Sequence, residues 1–549
     1  MFDLPELDDL VIRQLNRYDL VQCARVSRTW HRIVVPYLWA VFDCTTLSQR
    51  RAFYKLVLQS YLLERHCQEL KTGECDTGQH TQVSTIPLPP LAKYGRWVRH
   101  LPYPDTLRTL LKPPLYLTQV RQGPNEAYDE PTAYDLMRHL YKHCPAFQVQ
   151  YLYLTSKNVK GDDYLKTIAK YVTPRTHHLH LQVRNRLEVW RLMHLLDYGS
   201  SMLESLILEV HVFCDGDKSG DGGGQRETEP WKLKRLDLWR CKDSSESKTF
   251  WSWLWKQCGQ VERLEVKEVF EILQSLVKGI RTHMPKLDKL ILTECHLRDD
   301  AAAALLSSSH HGWKEISLVG ETATSGGSAK EALMQQCPVL EKLVLDRCDH
   351  FSSHDAVQVL ASSPNLHTFS DVTESMFRTT RINATLFADR DLNSGSLKAW
   401  DCEGSLTTLR VRITGVPRPD LEECQVQERY LGEGRGIQSQ VYERLARLTR
   451  LETLWLGETL YQEEQYDCLE MSLESGLHRL SGLKSLKELG VMSLVMKIGV
   501  KEVQWMADNW PQLRTIHGIH GMRFWDIDTR RRAVEWLQQN RPEIELKYM

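Results

Sequence analysis

The stretch LKRLDLWRC at Leu233–Cys241 returns twice with little change, as LDKLILTEC at Leu287–Cys295 and LEKLVLDRC at Leu340–Cys348. Weaker copies lie between them, at Val261, Leu264 and Val266 and at Trp313, Ile316 and Leu318. The first positions are 233, 261, 287, 313 and 340, so the steps are 28, 26, 26 and 27. Apolar residues at the fourth and sixth places alternate with polar ones, which is the period of a strand with one buried face. A unit this short has no core of its own. Its recurrence at a fixed step points to an array in which each copy is buried by its neighbours.

The spacers between copies are helical in pattern and share an ending. Met284-Pro285, Cys337-Pro338, Ser363-Pro364 and Trp510-Pro511 precede Leu287, Leu340, Leu366 and Leu513. Proline removes a helical hydrogen bond and pushes its predecessor toward extended backbone, so it converts helix to strand. A strand is expected one or two residues after each. Helices are expected over Val269–Thr282, Asp299–Ser308, Ser328–Gln336, Asp355–Ala361 and Val500–Asn509. The LxxLxLxxC form at this step resembles the leucine-rich repeat, whose units run to about 20–29 residues. That resemblance implies an α/β solenoid with parallel strands on its concave face and helices on its convex face.

Further copies extend the array both ways. Leu152-Tyr-Leu154, Leu179-His-Leu181 and Leu203–Leu206–Leu208 read as earlier strands. Leu406–Leu409–Val411, Leu451–Leu454–Leu456, Leu486–Leu489–Val491 and Leu513–Ile516 read as later ones. The steps become irregular, 31 from Leu366 to Leu397 and 45 from Leu406 to Leu451, with an insertion expected over 418–438. Residues 528–549, with Ile544 and Leu546, are expected to form a terminal cap. The Gly- and Asp-rich segment 214–230 is expected to be a disordered loop.

The front of the chain is different. LPELDDLVIRQLNRYDLVQCARVSRTWHRIVVPYLWAVF, Leu4–Phe42, reads as a short helical hairpin with more apolar surface than about forty residues bury alone. Asp19 is expected to cap a run through Leu20, Cys23 and Ala24. Ser27 opens the next turn, Trp30, Ile33 and Val34 share a helical face, and Pro36 ends it. The positions Leu4, Pro5, Glu6, Leu10, Leu15, Asp19, Leu20, Val26-Ser27-Arg28, Trp30, Pro36, Leu38 and Trp39 resemble the F-box. Residues 1–45 are taken as this segment, 46–93 as a linker with a helical part, and 94–549 as the degenerate repeat domain.

Chemistry is sparse elsewhere. The fourteen cysteines form no CxxC pair and no zinc array, which fits cytoplasm or nucleus better than secretion. Asp215-x-Asp217-x-Ser219-Gly220 starts like a calcium loop, but Arg226 stands where the bidentate Glu belongs. Gly432-x-Gly434-x-Gly436 lacks the dinucleotide spacing. His178 and His180 share a strand face without a third ligand. No catalytic centre, metal or cofactor is expected. A formal charge of −1 gives no global drive toward nucleic acid, and no run approaches the ~20 apolar residues of a membrane span.

A binding surface is better defined. Stacked repeats bring equal places into columns: Arg235, Arg263, Lys289, Glu315 and Lys342 at the third, Asp237, Glu265, Ile291, Ser317 and Val344 at the fifth, Trp239, Lys267, Thr293, Val319 and Asp346 at the seventh. Arg235, Trp239, Arg263, Lys267 and Lys289 are the expected substrate-binding residues, with Trp239 exposed as an anchor. Ion pairing of Arg235 with Asp237 and of Arg263 with Glu265 is the competing account of these charges. An F-box ahead of such repeats resembles the substrate receptors of SCF ubiquitin ligases. Val416-Pro-Arg-Pro-Asp420, Tyr466-Asp-Cys-Leu-Glu470 and Ser475-Gly-Leu are similar to the expanded fungal set. The resemblance implies that the front segment binds a Skp-type adaptor, and through it a cullin, using Leu4, Pro5, Leu7, Leu10, Leu15, Leu20, Val26, Trp30 and Trp39. The array would then bind an unknown protein substrate. The alternative is a repeat scaffold or inhibitor acting outside ubiquitination.

Overall fold

The computed structural model describes residues 17–26, 30, 34–35, 37–38, 55–65, 139, 152–155, 177–183, 187–188, 196, 203–210, 213–214, 231–241, 248–269, 274–320, 327–346, 348, 351–369, 380–391, 393–416, 428–457, 469–491, 495–496, 498–519 and 527–547. The chain divides into two compact units, Met1–Val212 with Asp221–Lys232, and Phe213–Gly220 with Leu233–Met549.

Among the described residues the first unit holds helix α1 (Arg17–Val26), helix α2 (55–65), three strands of the main sheet and the two-residue strand Leu187–Glu188. Asp19 lies in the first turn of α1, so the helix starts before the expected cap. A carboxylate there still faces the positive helix end favourably. Strands β1 (Leu152–Thr155), β2 (His178–Val183) and β3 (Ser205–Val210) are parallel neighbours in that order. The expected strands therefore form, and Leu179, Leu181, Leu206 and Leu208 are buried. His139 Nε2 and Ser60 Oγ are 3.0 Å apart, and His139 Nδ1 lies 3.2 Å from Glu64.

The second unit is the regular array. Its parallel strands are β4 (Arg235–Trp239), β5 (Arg263–Lys267), β6 (Lys289–Thr293), β7 (Glu315–Val319) and β8 (Lys342–Asp346). They continue as β9 (Thr368–Phe369), β10 (Arg381–Asn383), β11 (Thr408–Thr414), β12 (Thr453–Leu456), β13 (Glu488–Gly490), β14 (Thr515–His517) and β15 (Glu545–Lys547). Neighbours in sequence pair in parallel, except that β9 pairs with β11 and β10 adds to β11 separately. Helices α3 (Lys248–Gln257), α4 (Gln274–His283), α5 (Asp299–Leu306), α6 (Gly327–Met334) and α7 (Ser353–Ser362) return the chain between the regular strands. The inward residues Leu236, Leu238, Leu264, Val266, Leu290, Leu292, Ile316, Leu318, Leu343 and Leu345 are buried, which gives the array its core. The fold expected from the repeats is the one observed.

Register is held by the backbone. One residue ahead of each strand, an amide donates to the carbonyl of the matching residue in the previous repeat. The series runs Glu262 to Lys234, Asp288 to Glu262, Lys314 to Asp288, Glu341 to Lys314, His367 to Glu341 and Thr407 to His367. It continues Glu452 to Thr407, Lys487 to Glu452 and Arg514 to Lys487, and at the last strand the first residue itself, Glu545, donates to Arg514. At the other end, Arg240, Glu268 and Glu294 take left-handed backbone at φ 53°, 52° and 53°. Their amides donate to Lys267, Thr293 and Val319, so the ladder reaches one residue past each strand. Holding non-glycine residues there costs about 1–2 kcal/mol each, which the added hydrogen bonds offset in part.

Each strand starts four residues after its proline, at Lys289, Lys342, Thr368 and Thr515, rather than one or two. The intervening turn buries Leu287, Leu340, Leu366 and Leu513, and the residues before proline, Met284, Cys337, Ser363 and Trp510, are buried too. Helix α7 begins earlier than expected because Ser352 caps it. Asp355 N donates to Ser352 Oγ at 3.2 Å, and Ser352 N donates back to Asp355 at 2.9 Å. Much of the expected insertion at 418–438 belongs to helix α8 (Glu428–Arg447), which runs through Gly432, Gly434 and Gly436. Burial of Val441, Tyr442 and Leu445 on one face outweighs the roughly 1 kcal/mol that each helical glycine costs. Helices α9 (Val500–Asn509) and α10 (Ile527–Asn540) pack side by side and end the array with β15. Segment 215–230 lies outside the described residues.

Candidate functional surfaces

The outward columns stand in the expected register. Arg235, Arg263, Lys289, Glu315 and Lys342 are successive partners, as are Asp237, Glu265, Ile291, Ser317 and Val344, and Trp239, Lys267, Thr293, Val319 and Asp346. Their charges are paired. The Arg235 guanidinium lies 2.7 Å from Asp237 and 3.2 Å from Glu265, Arg263 lies 3.1 Å from Glu265, and Lys289 lies 2.6 Å from Glu315. Asp237 is not outward in effect. It is fully buried beneath Arg235, and burial pushes its carboxyl above the ordinary range against the pull of the Arg235 hydrogen bond. The hydrogen bond to Glu315 holds the Lys289 ammonium above its ordinary range.

Trp239 is half-buried rather than exposed, with Lys267 Nζ 5.2 Å from its ring centre. The cation covers the negative ring face, a contact worth about 0.5–1 kcal/mol when exposed. All five expected substrate-binding residues therefore share one face of β4–β6, but as a knit layer of ion pairs and not as a bare basic stripe. Cys241 and Cys295 are buried as small packing residues, and Cys348 is half-buried. Cys295 Sγ donates to Val266 O at 3.1 Å and Cys348 Sγ to Leu318 O at 3.3 Å, so each thiol meets a carbonyl of the preceding strand.

The later repeats hold a second polar cluster that the reading of five columns missed. The fifth places of β11–β14 are Arg410, Trp455, Gly490 and His517. Arg410 sits 4.2 Å from the Trp455 ring centre, and the His517 ring lies 4.5 Å away, tilted by 41°. Glu488 accepts from Trp455 Nε1 at 2.8 Å and lies 3.3 Å from His517 Nε2 and 3.4 Å from Arg410. The hydrogen bond with His517 leads the causes that lower the Glu488 carboxyl below its ordinary range. Gly490 is required because a Cβ there would stand 2.3 Å from Trp455. Continuing the columns past the irregular step at Leu451 would have revealed this group. Arg410, Trp455 and His517 are all buried, so it is a closed knot rather than an accessible surface.

In the front segment, Leu20 and Trp30 are half-buried and Val26 is 73% exposed. Val34 and Val35 are buried. Leu4, Pro5, Leu7, Leu10, Leu15 and Trp39 lie outside the described residues. Among the described residues no group of three potential ligands could hold a metal ion, and no helix is long and apolar enough to cross a membrane. His178 and His180 lie on β2 as expected, with His180 buried.

No curated protein matches the chain. Among solved structures, a chain of the "Crystal structure of Rad7 and Elc1 complex in yeast" aligns at 15% identity with a TM-score of 0.32, covering 57% of this chain and 80% of that one. Residues 9–45 match the F-box-like family model, which leaves Leu4, Pro5 and Leu7 just ahead of the matched span. The chain thus joins an F-box-like segment to an array of parallel strands and helices.

Proposed function

We propose that this chain is the substrate-recognition subunit of an SCF-type ubiquitin ligase, working in cytoplasm or nucleus. The F-box-like match at residues 9–45 carries the reading. The front segment docks on a Skp-type adaptor and so on a cullin, and the array holds the protein to be ubiquitinated. The receptor makes and breaks no covalent bond. It raises the concentration of target lysines around a charged E2 enzyme, which acts as an intramolecular gain rather than as chemistry.

Affinity purification of the full chain beside one lacking residues 1–45 tests this. The adaptor and cullin are expected with the full chain and absent from the shorter one. The paired substitution Leu4→Ala/Pro5→Ala is expected to abolish adaptor co-purification while the array stays folded. Unchanged adaptor recovery from the shortened chain removes the ligase reading in favour of a scaffold.

The target side is separable. Trp239→Ala and Arg263→Glu are expected to reduce the captured set of proteins, seen by quantitative mass spectrometry, without changing adaptor recovery. An unchanged set with both variants places capture away from β4–β6.

A further inference from the structure

The paired charges of β4–β6 are not symmetrical with respect to solvent. The Arg235 side chain is 37% exposed and its partner Asp237 0%; Arg263 is 39% exposed and Glu265 16%. The carboxylates lie beneath and the guanidinium groups in front. Arg235 Nε also lies 2.9 Å and 3.0 Å from the two oxygens of Asp237, which fixes the plane of its fork. Arg263 gives one terminal nitrogen to Glu265, while its Nε donates to no partner. Beside them, the outward places of β6 and β7 are Ile291, Thr293, Ser317 and Val319, all half-buried. Val344 on β8, at the same place of the next unit, is buried and closes the patch on that side. Lys289 and Glu315 bound it along the third column. An apolar centre with a charged rim is the anatomy of a protein-binding surface.

Resting on the receptor reading, we infer that this face takes an acidic segment of the captured protein, with carboxylates facing Arg263 and Arg235 and an aliphatic side chain on Ile291 and Val319. Charge complementarity selects the occupant, since cations form the front of the layer. The buried Asp237 and Glu265 offset the two guanidinium charges, so the front suits singly charged carboxylates better than dianionic phosphates. The planar guanidinium is pre-organised, and that of Arg235 is held in place by Asp237, so recognition by these arginines costs less freedom than recognition by the flexible surface lysines. The Arg410–Trp455–His517 cluster does not compete for this role, because its members are buried.

A random dodecapeptide library displayed on phage, selected against the full chain, tests the inference. Retained peptides are expected to carry net negative charge and at least one Leu, Ile, Val or Met. A synthetic consensus peptide, followed by fluorescence anisotropy, is expected to weaken about tenfold or more with Arg263→Glu and with Ile291→Asp. Arg263→Gln, which adds no repulsion, is expected to weaken it less. Arg531→Glu on α10 is expected to leave it unchanged. Affinity is expected to fall as salt is raised. Neutral or basic peptides, no enrichment, or equal binding by Arg263→Gln and Arg263→Glu with wild-type affinity overturns the inference. A phosphoserine version binding tenfold tighter than the carboxylate version overturns the choice of carboxylate. Adaptor recovery from the same preparations reports separately. Its loss with acidic selection intact removes the ligase reading alone, and its persistence without acidic selection removes this inference alone.

Discussion

Replacing Glu403 by alanine is expected to destabilise the array by about 3–5 kcal/mol. The cause is Arg444, whose side chain is fully buried on α8 and whose charged partner is Glu403, at 2.7 Å. Arg444 Nε also donates to Phe387 O at 3.3 Å, and the guanidinium lies 4.5 Å from the Trp400 ring centre. Burial pulls the guanidinium below its ordinary range, with Glu403 opposing. Arginine does not shed its proton inside proteins, so losing the carboxylate strands a charge. Urea unfolding is expected to show the midpoint falling sharply for Glu403→Ala. The double variant Glu403→Leu/Arg444→Met is expected to recover most of the loss, because two apolar groups replace a pair whose burial itself costs free energy. Equal midpoints for the single variant and the wild type would show that the backbone carbonyls of Phe387 and Asp389 already suffice to hold the guanidinium.

Trp313→Ala is expected to cost about 3–5 kcal/mol by leaving a cavity in the middle of the array. Trp313 occupies the first place of its repeat, is fully buried, and donates from Nε1 to Leu306 O at 2.8 Å. Its amide donates to Gln336 at 3.1 Å, which links this repeat to the end of α6. Trp313→Phe keeps most of the volume and loses the indole donor, so about 1 kcal/mol is expected. Thermal melts of both variants separate packing from the hydrogen bond. Trp510 repeats the device near the C-terminus, with Nε1 donating to Leu480 O at 3.0 Å, so Trp510→Phe is expected to behave alike.

Much of this fold is legible in the sequence because it is periodic. Leucines at fixed places state which face is buried, and a constant step states which residues become neighbours. Hence Arg235, Arg263 and Lys289 could be placed in one column before any coordinates. Depth within a column is not periodic. Asp237 and Glu265 occupy the same place in successive repeats, yet one is fully buried and the other only partly. That difference depends on which arginine folds over which carboxylate. Strand alternation turns Trp239 outward, but it says nothing about Lys267 lying across it. Long-range ties such as Arg444 to Glu403 join residues 41 apart and leave no local signature. In the front segment the match covers residues 9–45, while the side chains expected to meet an adaptor are described only at Leu20, Val26 and Trp30.

The row of amides running from Lys234 to Glu545 joins every repeat to the one before it through peptide groups alone. No side chain on the open face takes part in that spine. In the units of β5–β7, where places three, five and seven are all partly open to solvent, those places can therefore be rewritten, like type set on a fixed rail, without disturbing how the units align. A chain built this way uncouples what it grips from how it stands, so new target preferences can arise by surface drift while the architecture is inherited intact.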